Sequence, residues 1–343
     1  MLQVVEYADV YEKKSSYVFV DVRSPSEFSN ATIPGAVNIP LFSDSEKSEI
    51  GIMYKQSGKS AAIELGLGFI GIKLPHIYNE FLSIMEEKKK ILIFCARGGM
   101  RSGTIANLLK SFGMPVFKLK GGYKSYRSFI VESLPKSIEK SEFVVLYGKT
   151  GTGKTYILQE LSNMGCNILD LEACANHRGS LLGGIGLGNT HSQKYFESLV
   201  FDSLERASES KLNIIFTEGE SKRIGNIIMS NSLYDAVLNG RKILINSPLD
   251  KRVQNIEKEY LQGEYNEEEI MNAVCSLEKY IGKSRTEGYI EQIKRRNFKE
   301  LIESLIVTYY DSAYVTRTKE FEKEFTNLDE RATAKEIFKY ILN

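Results

Sequence analysis

Two short stretches of this sequence hold residues whose types and spacing suit phosphate chemistry. The first is Cys95-Ala96-Arg97-Gly98-Gly99-Met100-Arg101-Ser102. It follows the apolar run Ile91–Phe94 and precedes amphipathic residues 104–109, so it reads as strand, tight loop, helix. Such a loop turns successive backbone N–H groups inward, and the helix behind it adds unpaired N–H groups and a positive dipole end. With Arg97 and Arg101 flanking it, a thiol at Cys95 is expected to shift toward thiolate, the nucleophilic form. A buried structural cysteine is the plainer alternative. The second stretch is Gly148-Lys149-Thr150-Gly151-Thr152-Gly153-Lys154-Thr155, a GxxxxGKT pattern between the strand-like Phe143–Tyr147 and an apolar helical run from Tyr156 to Leu161. Gly148, Gly151 and Gly153 let the backbone wrap a phosphate, and Lys154 supplies a point charge. Thr155 would hold Mg²⁺ if a nucleotide binds.

Other polar residues gather near the second stretch. A nucleotide hydrolase needs a strand ending in Asp, but the best candidate, Leu212–Thr217, ends in Glu218-Gly219-Glu220-Ser221-Lys222-Arg223. Glu218 or Glu220 could hold a metal, act as a base, or pair with Lys222 and Arg223. Diphosphate binding is thus better supported than ATP or GTP hydrolysis. Glu172, Asn176, His177 and Arg178 are concentrated ahead of a glycine-rich run, Gly183–Gly188, which suggests close approach to a ligand. His177 beside Arg178 suits phosphate better than metal, and no metal site is expected. A basic cluster, Lys294, Arg295 and Arg296, stands near Tyr309, Tyr310 and Tyr314; it is a candidate tRNA-binding face, against the ordinary reading of a solvated helix face.

These residues need a scaffold that puts loops at strand ends. Val18–Arg23, Val37–Ile39, Ile91–Phe94 and Val116–Leu119 read as strands, alternating with helices such as the one opened by the Ser24-Pro25-Ser26-Glu27 capping box. That alternation predicts an α/β fold with a parallel sheet and Cys95 beyond a strand's C-terminal end. The polar, proline-broken residues 133–141 predict a boundary between a domain over 1–135 and one over 141–343. Spacings of three and four predict helices over 249–260, 266–281, 289–308 and 329–342, a helical C-terminal part over about 249–343. Of 343 residues 42% are hydrophobic and 26% charged, with net charge +1, so global charge does not indicate nucleic acid. Four cysteines without a CxxC suggest neither a disulfide framework nor a zinc knuckle. No uninterrupted apolar run suits a membrane helix and no signal peptide is visible, so the expected location is cytoplasmic, without a membrane partner.

The residues then resemble known families. Asp21-Val22-Arg23, Ile33-Pro34-Gly35-Ala36-Val37-Asn38 and the Cys95 loop are similar to a rhodanese domain, with Thr32 where many members have His. The loop has Cys-x5-Arg rather than Cys-x4-Arg, a spacing shared with cysteine phosphatases. The order of rhodanese-like and P-loop NTPase-like domains resembles the tRNA 2-selenouridine synthase family. So do Gly51-Ile52-Met53-Tyr54-Lys55-Gln56, Leu171-Glu172-x-x-Ala175-Asn176-His177-Arg178-Gly179-Ser180 and Glu218-x-Glu220-Ser221-Lys222-Arg223-Ile224-Gly225, with Lys222 where Arg is expected. The resemblance implies a transferase converting the wobble 2-thiouridine of tRNA to 2-selenouridine. Geranyl diphosphate alkylates the sulfur, and selenium from selenophosphate then replaces the geranylthio group. It implies catalysis at Cys95, Arg97 and Arg101, and a supplier of selenophosphate as a partner. Both donors are co-substrates, and no tightly bound cofactor is expected. The other readings are a rhodanese-type sulfurtransferase or cysteine phosphatase fused to a kinase-like domain, and a tRNA-binding regulator. The sequence does not indicate an oligomeric state.

Overall fold

Val18–Val20 and Ile91–Phe94 are apolar at every position rather than every second one, as strands covered on both faces must be. In the computed structural model, which describes residues 2–85, 89–180, 182–208, 213–261, 266–313 and 320–342, both become central strands. Tyr314 and the expected strand start at Leu212 lie outside the described residues. The chain divides into two compact units, Met1–Leu134 and Pro135–Asn343.

The first unit holds β1 (Gln3–Val5), β2 (Tyr17–Asp21), β3 (Val37–Asn38), β4 (Lys90–Phe94) and β5 (Val116–Leu119). They form one parallel sheet in the order β1-β5-β4-β2-β3. Its core packs Val20, Ile39, Phe81, Ile91, Ile93 and Ile105 together. The helix Pro25–Asn30 starts on the expected capping box. The mixed charge of residues 43–65 predicts helix and loop; they fall instead in the helix Asp44–Ser83, interrupted at Gly58, whose φ is 84°. This is one helix long and apolar enough to cross a membrane by length and composition. Ile77 and Phe81, near its C-terminal end, pack into the core.

The second unit holds β6 (Glu142–Tyr147), β7 (Asn167–Leu169), β8 (Ile214–Glu218), a hairpin of β9 (Arg223–Ile224) and β10 (Ile227–Ile228), β11 (Arg241–Asn246) and β12 (Lys323–Thr326). Apart from the hairpin these form a parallel sheet in the order β12-β11-β6-β8-β7. One core joins β6, β8 and β11 to the helices Lys154–Asn163 and Glu330–Leu342. A second joins Val253, Val274, Ile293 and Ile306 of the C-terminal helical part to Leu182 and Ile185.

Two expectations about helices change. Residues 133–139, read as a broken linker, continue the helix Gly122–Glu139 through Pro135. The expected helix 289–308 is two, Lys283–Lys294 and Phe298–Leu305. Arg296 takes a left-handed φ of 57° and reverses the chain between them.

Candidate active site

In the first unit Cys95 directly follows β4 and the helix Met100–Ser111 leaves the loop, its N-cap Gly99 providing no side-chain cap. The loop is held from behind by the turn after β5. Tyr123 and Lys124 donate their N–H groups to the carbonyls of Cys95 and Ala96, at 2.9 and 3.0 Å. Gly122 must be glycine: its φ is 59° and a Cβ there would lie 2.1 Å from the Cys95 carbonyl oxygen. The sulfur lies 3.2 Å from the Ser102 hydroxyl, and Cys95 as a whole is only 3% exposed.

The two arginines divide. Arg97 is exposed at the loop. Arg101 donates from both terminal nitrogens to Glu27, at 2.7 and 3.3 Å. Burial pushes the Glu27 carboxyl up, but Arg101, with Lys47 and the Ser24 N–H, overcomes this and holds it at about 2. Burial likewise opposes the charge on Arg101, and Glu27 raises its pKa nonetheless. Arg101, expected to flank the pocket as an anion donor, therefore ties the Cys95 loop to the helix Pro25–Asn30. Behind the loop, Arg23 is clamped on Asp21 and stacks 4.2 Å from the Tyr123 ring centroid. Thr32, in the place where a histidine was noted as usual, donates to Asp21 at 2.9 Å.

In the second unit β6 runs into Gly148–Thr155, and the helix Lys154–Asn163 starts on Gly153. Gly153 has a φ of 85° and lies so close to Asn327 that a Cβ would fall 2.5 Å from its amide nitrogen. Gly148, Gly151, Gly153, Lys154 and Thr155 all line one pocket of about 440 Å³. Lys154 Nζ donates to the Gly148 carbonyl at 2.9 Å, so its charge stays over the loop.

The opposite wall includes Glu172, Arg178, Ser180, Glu220 and Lys222. Burial pushes the carboxyls of Glu172 and Glu220 up. Glu220 adds to the effect on Glu172, and Lys154 opposes it on both. Glu218 is behind this wall, not in it. It is 1% exposed and accepts the Glu172 N–H at 2.8 Å. Burial, then Asp170 and Glu172, drive its carboxyl well above the ordinary range.

The remaining expected residues act mainly on loop shape. Asn176 caps the helix Leu171–Ala175 with a φ of 52°, and its amide donates to the carbonyls of Leu187 and Asn189, at 2.8 and 2.9 Å. Arg178 donates to the carbonyls of Ile185 and Glu259, at 2.7 and 2.9 Å, so the glycine-rich run is strapped to the helix Leu249–Leu261. His177 does not line the pocket. Burial and then Arg178 lower its pKa, which favours the neutral ring. Arg223 is exposed and donates to the Gly225 carbonyl at 2.9 Å, away from the pocket wall. In the basic cluster Lys294 is exposed, Arg295 pairs with Glu291, and Arg296 pairs with Glu267 at 3.1 Å. Two of those three charges are therefore already partnered.

Four residues that sequence reading passed over hold the phosphate loop. Arg252 donates to the Thr150 carbonyl at 2.9 Å and pairs with Asp311 at 2.6 Å; Asp311 also meets Lys149 at 3.0 Å. Asn255 and Asn327 donate their amides to the carbonyls of Gly151 and Thr152, both at 2.9 Å. Arg252, Asn255 and Asn327 are all at most 5% exposed. The one local signal was three polar residues, Arg252, Asn255 and Asn327, in otherwise apolar packing.

Comparison with known proteins fits this arrangement. The family model for the tRNA 2-selenouridine synthase AAA domain matches residues 141–343, and that for the rhodanese-like domain matches residues 6–129. The tRNA 2-selenouridine synthase of Hydrogenovibrio crunogenus is 32% identical over 321 residues, covering 86% of this chain and 87% of that protein. That of Nitrosomonas europaea is 33% identical over 244 residues; the match takes in 71% of this chain and 63%, less than two thirds, of the relative's length. A solved N-terminal domain of a putative ATP/GTP binding protein from Clostridium difficile 630 is 42% identical. It covers 38% of this chain and 99% of its own, with a TM-score of 0.36.

Proposed function

The chain belongs to the tRNA 2-selenouridine synthase family, and on that premise we propose that it is a transferase replacing the sulfur of a wobble 2-thiouridine in tRNA with selenium. The observation that carries the reading is the pocket floored by Gly148–Thr155, a phosphate cradle in a chain that also carries a separate cysteine loop.

In the first step the thiouridine sulfur attacks C1 of geranyl diphosphate. The C–O bond breaks, diphosphate leaves with the electron pair, and the base loses its N3 proton. Backbone N–H groups of residues 151–155 and the Lys154 ammonium stabilise the departing diphosphate. The acceptor for the proton is Glu220 in its ionised form, which the neighbouring Lys154 ammonium favours against burial. Alkylation matters because an alkylthio group leaves more readily than the sulfur of the parent base. In the second step selenium from selenophosphate displaces the geranyl thiolate at C2, and opening of the P–Se bond by water releases phosphate. Cys95 is assigned to this step as the group that assists departure of the geranyl thiolate, its thiol supplying a proton to the leaving sulfur, with Arg97 holding the donor's phosphate.

Among the described residues no three His, Cys, Asp or Glu side chains are grouped to hold a metal, and Thr155 is the residue that would meet a Mg²⁺ carried by the diphosphate. Neither step is routed through Mg²⁺.

The test is mass spectrometry of nucleosides from tRNA incubated with the protein and geranyl diphosphate, then selenophosphate. Successive gain of a geranyl group and exchange of the geranylthio group for selenium is the expected result. Unchanged nucleoside masses, with turnover of ATP in the absence of tRNA, would replace the reading with a kinase.

A further inference from the structure

Beside the phosphate pocket lies a second cavity, of about 50 Å³, between the loop Leu182–Ile185 and the helices Leu249–Leu261, Glu267–Ser276 and Phe298–Leu305. The two cavities share Thr150, Tyr260 and Tyr310. Every other described side chain lining the second is Leu, Ile, Val or Phe, among them Ile185, Val274 and Ile302. Tyr310 donates its hydroxyl to Ser180, itself on the phosphate-pocket wall, at 3.4 Å. The polar edge of the apolar cavity thus faces the phosphate cradle.

We propose that this cavity receives the far end of the hydrocarbon tail of a ligand whose diphosphate sits on Gly148–Thr155, with Thr150, Tyr260 and Tyr310 forming the neck. The proposal rests on the reading of that loop as a diphosphate site and adds what selects the ligand. A nucleotide's ribose and base carry donors and acceptors that need partners when buried. Beyond the neck the described side chains of this wall supply none, whereas a hydrocarbon gains by leaving water. The size is also selective. One water needs roughly 10–15 Å³ measured this way. About 50 Å³ therefore takes roughly three to five non-hydrogen atoms, or one isoprene unit. A tail that passes the neck places about one unit in this cavity, and a tail that ends short of the neck gains nothing from it.

The experiment is calorimetric titration of the full-length protein with inorganic diphosphate and with dimethylallyl, geranyl and farnesyl diphosphates. Geranyl diphosphate is expected to bind roughly 100-fold more tightly than the dimethylallyl compound, the consequence of burying one more isoprene unit. Val274→Phe, at the cavity wall, should collapse the ratio of inorganic-diphosphate to geranyl-diphosphate Kd at least tenfold. Ile302→Ala, which enlarges the cavity without overpacking, should shift preference toward farnesyl diphosphate. Equal affinity for the five- and ten-carbon compounds, or an unchanged ratio in Val274→Phe together with unchanged preference in Ile302→Ala, overturns the tail site while leaving the diphosphate site standing. Failure of the wild-type protein to bind any of the four ligands overturns the diphosphate reading itself.

Discussion

The Cys95–Ser102 and Gly148–Thr155 loops follow the same local plan: a parallel strand, a glycine-rich turn and a helix whose first N–H groups face the turn. Their surroundings make them unlike. The cysteine loop is closed from behind by backbone at Gly121–Tyr123, and its second arginine is locked on Glu27. The phosphate loop is held by side chains of Arg252, Asn255 and Asn327 and opens into a pocket of about 440 Å³. A strand–turn–helix therefore specifies that an anion is welcome. The shell around it decides which anion, and how large a molecule comes with it.

The sharpest break of this comparison is a crossed pair of variants. Lys154→Ala should lower geranylation at least 100-fold and leave selenation of pre-geranylated tRNA largely intact, while Cys95→Ser should do the reverse. Nucleoside mass spectrometry on each substrate separates them. Equal loss of both steps in either variant would merge the two sites into one.

Next come the glycines, which test backbone against side-chain support. In Gly122→Ala the new methyl meets the Cys95 carbonyl and cannot be accommodated without moving the loop, a cost of roughly 3 kcal/mol or more. In Gly153→Ala it meets the Asn327 amide, which must leave the Thr152 carbonyl to make room, so a lost buried hydrogen bond is added to the left-handed φ, about 2–3 kcal/mol together. Denaturant midpoints of the two variants should therefore rank in that order.

A gentler perturbation is Arg252→Gln. It loses the pairing with Asp311 and loosens the loop at Thr150, so the KM for geranyl diphosphate should rise about tenfold with a smaller change in kcat. A change in kcat alone would mean that Arg252 does not act by shaping the loop.

The smallest effect is in the pH dependence, and its sign differs between the regions. Glu27 is lowered to about 2 from 4.5, so its contribution is present above 4.5 and lost as the pH falls toward 2. After allowance for solvent screening, Glu27→Gln should cost roughly 1–2 kcal/mol near neutrality and almost nothing at acid pH. Glu218 is raised, so its contribution is full below 4.5 and lost as the pH rises through its shifted value. Glu218→Gln should accordingly gain in thermal midpoint relative to wild type as the pH is raised from 5 to 9. A parallel pH profile for the two variants would contradict the opposite signs.

The legible parts of the fold were those with dense local signals. β4, β5 and β6 were visible as apolar runs, and the Ser24 capping box lies where its residues require. β12 was not: Lys323-Glu324-Phe325-Thr326 buries one side chain, Phe325, and is a strand because β11 offers an edge to pair with. Residues 133–139 carry a proline and polar residues, yet the helix from Gly122 passes through them. At the site, Gly148–Thr155 was legible because its chemistry lies in the backbone between neighbouring glycines. Arg252, Asn255 and Asn327 were not, because their function is to touch carbonyls more than a hundred positions away.

The sequence by itself determined the two loops, their order along the chain and the residue types they offer an anion, since each depends on a handful of consecutive residues. Tertiary structure decided that Arg101 pairs with Glu27, that His177 is held beside the pocket and biased neutral, and that Arg295 and Arg296 already have acidic partners. Those outcomes depend on which groups meet in space and how much water they keep. Long-range packing, not spacing along the chain, sets both.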